Sequence, residues 1–554
     1  MLAPETNNSG GETALSCPTM SAAMYDGIVL GSGHNSLVLQ AYLCRAGMKV
    51  ICLERNDAVG GGLRTEQWPI GSGFRHNTHS FYHRALTSQP WYADLELQRH
   101  GASYVEPELN VAMLLPNGGV LEWWTEFERT VASFARVSQR DAEALRRWRQ
   151  AFVPVVRDIL VPEAQAPPLP SEQRRRKLQE TAAGRLLLQT SALSPREFVL
   201  REFTNPAVQA GLLFFNGLRE VDLRAPGFGH HIPALLASDG KAQMCLGGSA
   251  RLADALVAAI EEAGGQVRTS VDLARIVVER GADGRERAVG VETTDGERLE
   301  ARQFVVSGLN PQQTFLELIA AEHLPVAWRA AAAAFRYNLL APLFGLYLNL
   351  DEPPRYSAAE AYPEIDNAFM VILGLDSVQD FDEMVRAHEQ GRIPPTVMWG
   401  SCPTKFDPTQ APGGAHTAFM WEKVPYRLHG SADNWDGEAE AHGRRMLTQW
   451  RSYAPNLEGA VRQSLLRPAH DIPKLLPNMR DADLLVGSLG DGQVGADRPF
   501  PGAGHYRGHL HGLYLCGSCC HPSGNITGLP GYNAAQVVLA DLGLNPLTMP
   551  QSSP

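Results

Sequence analysis

The first organised stretch of the chain is an apolar run, Tyr25 to Leu30, followed by the small residues Gly31-Ser32-Gly33. Apolar positions at helical spacing then continue from Leu37 to Ala46, Gly47 closes the helix, and a second apolar run, Lys49 to Leu53, ends on Glu54. That order predicts a strand, a tight turn, a helix and a strand. The rhythm returns far downstream. An amphipathic helix is expected over Arg251 to Glu262, strands over Gln266 to Val278 and Gln303 to Ser307, and a last strand over Gly512 to Leu515. A closing helix begins near Gly531. Two long stretches, 111–236 and 326–479, interrupt this series. They carry a helical pattern from Phe127 to Phe152 and strand patterns over Leu343 to Leu350, Thr396 to Ser401 and His416 to Glu422. The whole reads as an α/β chain with a Rossmann-like domain built from 24–110, 237–325 and 480–545, and an inserted α+β domain from 111–236 and 326–479.

Composition adds limits. With 554 residues, 44% hydrophobic and 20% charged, the chain has ample material for a large core. A net charge of -11 gives no footprint for nucleic acid. No run of eighteen apolar residues occurs, so no transmembrane helix is expected. Residues 1–23 lack a basic start and an apolar stretch and read as a disordered tail, as do 546–554 at the other end. The eight cysteines are scattered, with Cys44 and Cys52 inside apolar patterns, which suits a reducing cytoplasm. Arg174 to Lys177 followed by Leu186 to Leu188 has two readings: a peripheral membrane contact, or a solvated helix face.

The chemistry begins at the first turn. Gly31 permits a tight bend, Gly33 lets the backbone approach a pyrophosphate, and the helix start at Asn35 and Ser36 offers N–H groups to phosphate. Ser36 stands where such turns carry a third glycine. Glu54 can accept hydrogen bonds from ribose hydroxyls, and it is followed by Arg55 and a second glycine cluster, Gly60-Gly61-Gly62-Leu63-Arg64-Thr65. This pattern resembles the glutathione-reductase-type flavoproteins, specifically the phytoene (carotenoid) desaturase-like branch. The resemblance implies non-covalent FAD, with Arg64 beside the phosphates. It implies that Val271 meets the adenine through its backbone and that Gly308 lies near the dinucleotide. The far end resembles the family's closing segment, with Gly517, Ser518, Asn525, Ile526 and Gly528 beside the flavin and Asn533 on the helix that faces it. The fold implied is a glutathione-reductase-type FAD-binding domain capped by the insert.

Flavin chemistry needs a substrate C–H bond held against the ring, and a protein base is optional. His521 is the leading catalytic candidate and His79 the second. His83, His230, His231, Gln493 and Arg498 are further ones, each with a structural hydrogen-bonding role as the alternative. The aromatic residues of the insert (Trp123, Trp124, Phe214, Phe215, Phe228, Trp399, Trp421) divide between core and substrate tunnel. Cys516-x-x-Cys519 matches a thiol redox motif formally, and no metal-ligand spacing occurs. The leading expectation is dehydrogenation of a hydrophobic, isoprenoid- or lipid-like substrate, with O2, a quinone or another organic molecule as electron acceptor. The alternatives are an amine or amino-acid oxidase, a redox-neutral isomerase, or a non-catalytic flavin-bound interaction protein. An amine or amino-acid oxidase needs an aromatic cage or a carboxylate-binding arginine, neither of which the sequence places.

One consequence is directly testable. The chain has a single Gly-x-Gly turn set between strand and helix, so no second dinucleotide site is available for a nicotinamide. Anaerobic mixing with NADH or NADPH should leave the flavin absorbance unchanged on the timescale of turnover. Rapid bleaching at micromolar nucleotide would reveal a nicotinamide site.

Overall fold

Two seven-stranded sheets organise the protein, and the register of the first explains where its chemistry sits. The computed structural model describes residues 24–214, 222–490 and 492–544. The expected tails and Phe215 lie outside these residues. Strand β1 (Met24–Leu30) leads through the glycine turn into helix α1 (His34–Arg45), which returns to strand β2 (Val50–Leu53). The helix begins three residues before the first apolar position, because its opening turn His34-Asn35-Ser36 is polar yet buried.

In this sheet β1 pairs in parallel with β2 on one side and with Arg298–Ser307 on the other. The short strand Gln266–Arg268 extends the sheet beyond β2, and Leu513–Leu515 adds to the far side of Arg298–Ser307. Leu30 lies opposite Leu53 and Ser307, Leu53 opposite Arg268, and Ser307 opposite Leu515. The carboxyl ends of five strands therefore form one level edge. The expected strands in 266–278 and 303–307 are present, but the segment also contains Glu286–Thr293, an antiparallel partner of Leu273–Arg280 that the sequence pattern did not reveal. Its solvent-facing half is rich in charged residues and obscures the alternation.

Packing between α1 and the sheet is close. A Cβ on Gly308 would stand 2.1 Å from Ser36 Oγ. The serine in the third-glycine position is thus accommodated by the absence of a side chain across from it. Ser36 Oγ also lies 3.6 Å from Cys516 Sγ, at hydrogen-bonding distance for a thiol.

The second sheet runs in the spatial order Val461–Arg467, Leu343–Leu350, His416–Lys423, Met398–Ser401, Met370–Leu373, Leu109–Leu114, Val120–Trp124. All neighbours are antiparallel except Met370–Leu373 with Leu109–Leu114. Its strands are buried on both faces, so they read as continuous apolar runs. Leu346, Leu348, Val371, Leu373 and Met420 pack under the helix Trp435–Tyr453, with Trp435, Met446 and Trp450. The alternate residues Met370, Ile372, Phe419 and Trp421 face the opposite way, into a separate core. The helical pattern expected over Phe127 to Phe152 is two helices, Phe127–Ala135 and Gln139–Val155. The break is local chemistry: Ser138 caps the second helix by accepting the Asp141 amide.

Among the described residues no helix is long and apolar enough to cross a membrane. Leu187 is buried with Leu186 and Leu188 packed against the Phe152 cluster, while Arg174 pairs with Glu163 and Arg176 with Glu172. The three leucines are therefore engaged in internal packing.

Candidate functional site

The level sheet edge gathers the glycine turns. Gly31 takes φ +80°, a left-handed bend that glycine adopts without strain, and its amide donates to the Leu53 carbonyl. Gly33 and Gly60 form a parallel bridge, which lays the second glycine cluster against the first turn. Ser32 joins three motifs. Its amide and hydroxyl both donate to Glu54 Oε2, at 2.9 and 2.8 Å, and its carbonyl accepts the Gly60 amide. The Asn56 amide donates to Glu54 Oε1. A carboxylate offers about four acceptor positions. Three are taken by the chain, which leaves one for a ribose hydroxyl. Ser32 went unnoticed in the sequence because the central position of such a turn tolerates any residue.

Two helix N-termini meet beyond this edge. Helix α1 starts without a side-chain cap, and so does the closing helix Leu529–Asp541. A Cβ on Gly531 would stand 1.8 Å from the Asn35 carbonyl oxygen, so the first turns of the two helices touch. Asn35 Nδ2 donates to Ser518 Oγ, while Asn35 Oδ1 is buried without a protein partner. Nothing lies within 4 Å of a Cβ placed on Gly33. An open glycine, two uncapped helix starts, a buried unpaired amide oxygen and a ribose-ready carboxylate suit a dinucleotide diphosphate well.

Not every predicted residue joins this group. Arg55 is exposed, and Arg64 is held by Glu66 at 3.2 Å. Thr65 Oγ1 donates to Asn77 Oδ1 and accepts the Ala250 amide, which ties the second loop to the helix Ala250–Glu262. Gly61 lies against Gly33, whereas Gly62 faces Met479. The Val271 amide donates to the Glu54 carbonyl, so its own carbonyl is what it presents to an adenine. Gly517 packs on the Gly308 carbonyl, and Gly528, at φ +66°, starts the closing helix beside Trp91. Trp91 Nε1 donates to the Thr527 carbonyl, Ile526 packs on the same core, and the His34 ring donates to the Asn525 carbonyl. His34 and Trp91 were not singled out in the sequence, since their partners lie some four hundred residues away. Asn533 is turned from the sheet edge: its Nδ2 donates to the carbonyls of Ala164 and Ala166 and to Tyr506.

His521 is turned the same way, with Nε2 donating to the Glu163 carbonyl at 2.9 Å. His83 is fixed between Ser80 and Tyr104. His230 bonds Ser191, and His231 opens the helix His231–Ala237 where a loop was expected. Gln493 brackets Arg336, accepting its amide and donating to its carbonyl. Arg498 is fully buried and donates to the carbonyls of Val486, Gly487, Ser488, Gln493, Ser518 and Cys520. It clamps one loop onto the closing segment. Cys516 and Cys519 point to different partners, Ser36 and the Leu309 carbonyl. His79 borders a small cavity of about 40 Å³ with Arg467 and Asp471.

A larger cavity of about 210 Å³ adjoins it, and the two share Leu343, Trp421 and Leu484. The inner face of the second sheet supplies Met370, Ile372, Trp399 and Trp421, while Tyr82, Phe214 and Asn525 complete the wall. Trp399 packs edge-on against both Phe214 and Trp421. Lys423 reaches the same wall with its Nζ 5.7 Å from the centre of the Trp399 ring. Asn525 thus joins the closing segment to an enclosed, mostly apolar space.

The model of the family described as flavin containing amine oxidoreductase matches residues 41–430. The chain belongs to this family. It is 30% identical over 535 residues to a limonene dehydrogenase polypeptide of Castellaniella defragrans, covering 94% of this chain and 95% of that one. Among solved structures it resembles an oxidoreductase from Methanosarcina mazei (TM-score 0.57, 16% identity, 93% and 99% of the two chains). It also resembles cyclohexylamine oxidase from Brevibacterium oxydans (TM-score 0.55, 13% identity, 94% and 99%). The phytoene desaturase-like, α/β FAD-binding fold expected from the sequence agrees with this membership, and the protein is an FAD-dependent oxidoreductase.

The carboxylate and the buried histidines each have a measurable consequence. Glu54→Ala removes the remaining carboxylate contact and leaves Ser32 unpaired, and should weaken FAD binding by about 1.5–3 kcal/mol. Titration of flavin-free variant with FAD checks this, and unchanged affinity contradicts it. Burial also lowers the pKa of four histidines around the site: His34 and His76 to about 4, His79 and His83 to about 3. The unfolded chain, with histidines near 6.5, binds protons first as pH falls. Stability should be full above about pH 6.5 and decline from there towards pH 4. A Tm series over that range reads it directly, and a flat profile contradicts it.

Proposed function

We propose that this protein dehydrogenates a small, neutral, hydrophobic molecule enclosed between the second sheet and the Asn525 segment. The observation that carries this reading is the aromatic-walled cavity of about 210 Å³ that reaches Asn525. An apolar cavity of about 150 Å³ holds benzene. On that scale the space here takes a ring compound of roughly eight to ten carbons, rather than a long carotenoid. Similarity to a limonene dehydrogenase polypeptide supports a substrate of this size and polarity.

Residues 111–236 and 326–479 act in this reading as a cap that excludes water from the reacting bond. Gly31, Gly33, Asn35, Ser36, Glu54, Gly60, Gly308, Gly517, Ser518 and Gly528 hold the cofactor. Bound FAD supplies a two-electron acceptor for the hydride that leaves the substrate carbon. The protein's part is orientation: Trp399 and Trp421 fix the substrate's face while the closing segment sets its depth. An amine oxidase reading is disfavoured by Lys423. Its amine lies by the Trp399 face, where it repels a cationic substrate from the surface an aromatic cage would use.

The test is anaerobic reduction of the FAD-loaded protein by a panel of C5 to C20 isoprenoid hydrocarbons, alcohols and ketones, alongside primary amines. Bleaching by neutral compounds near ten carbons is expected, together with its loss in Ile372→Trp at unchanged flavin content. Reduction by amines alone would overturn the reading.

A further inference from the structure

The cavity is apolar except at a few points, and one of them is unexplained by the fold. The hydroxyl of Tyr82 is buried and has no protein hydrogen-bond partner. Its residue borders the cavity, and its ring rests against Phe369 at 5.7 Å between centroids. The neighbouring hydroxyl of Tyr347, by contrast, donates to the Thr78 carbonyl and accepts from Trp421 Nε1. A phenol shut into an apolar space with nothing to bond carries a desolvation penalty that phenylalanine, of nearly the same shape, would avoid. Such a group acquires a use when a ligand supplies its partner. A site built to bond a polar atom also rejects the analogue that lacks it, because the buried group is then left unpaired.

Resting on the reading of this cavity as the substrate site, we propose that Tyr82 is a specificity-determining residue that hydrogen-bonds a single oxygen on the substrate. The substrate class is then a small ring compound bearing one hydroxyl or carbonyl group, not a pure hydrocarbon. Tyr82 donates to that oxygen and fixes which ring carbon faces the Asn525 side. Lys423, on the same wall, adds positive potential that favours an oxygen carrying partial negative charge. The contact positions the molecule and is not a step in the oxidation.

Three ligands on one ten-carbon skeleton test this with the FAD-loaded protein: menthone, menthol and p-menthane. Calorimetric titration is run on the native protein and on Tyr82→Phe, with flavin content and Tm as controls. Tyr82→Phe should weaken menthone or menthol about tenfold, the worth of one hydrogen bond. It should leave p-menthane unchanged, and the ligand-free variant should melt no lower than the native protein. Which oxygenated ligand loses affinity separates ketone from alcohol recognition. Unchanged affinity for both, or an equal loss for all three, overturns the assignment of Tyr82 while the cavity reading stands. Failure of the native protein to bind any of the three overturns the cavity reading, and the role of Tyr82 with it.

Discussion

The site depends on the alignment of parallel strand ends in the first sheet. Because Leu30 is level with Leu53 and Ser307, the residues that follow each strand emerge at one edge: Gly31, Glu54 and Gly308. A slip of one residue in any pair would turn side chains to the other face and separate these turns. The Ser32–Glu54 hydrogen bonds then lock the first turn to the end of β2, and the Gly33–Gly60 bridge brings in the second glycine cluster. The closing segment arrives last in sequence but at the same edge, because Leu513–Leu515 pairs with Val305 to Ser307. Glycines at the crossings let the helix starts touch, which is why an anion-binding centre forms from residues five hundred positions apart.

The second sheet serves a different purpose with the same kind of constraint. Strands buried on both faces must give one face to the helix Trp435–Tyr453 and the other to whatever lies towards the first domain. That second face is aromatic and incompletely filled, and the closing segment completes it at Asn525. Arg498 matters here although it touches no cavity. By bonding carbonyls on both sides, it holds the loop carrying Val486 to Ser488 against Ser518 and Cys520. Cofactor edge and cavity wall are therefore parts of one fixed assembly.

Much of the first sheet was legible because its signals are local. A strand, a glycine turn, a polar helix start and an acidic strand end lie within thirty residues, and their spacing carries the chemistry. The closing segment was legible through resemblance. What escaped depends on distant partners. His521 and Asn533 follow the family motif, yet their side chains bond carbonyls of 163–166, a contact that no local pattern encodes. Strands such as Leu109–Leu114 and Met370–Leu373 were missed because doubly buried strands lose the alternation that marks a half-exposed one. Tyr82 and Lys423 could not be singled out, since only the cavity distinguishes them from ordinary core residues.

The central claim is that one FAD is held jointly by segments from the two ends of the chain. Hydrogen exchange measured with and without FAD tests it most directly. Added FAD should slow exchange at the amides of 31–36, 54–61 and 517–531 together, over the same concentration range. Protection confined to the N-terminal segments, with 517–531 unaffected, would contradict the account.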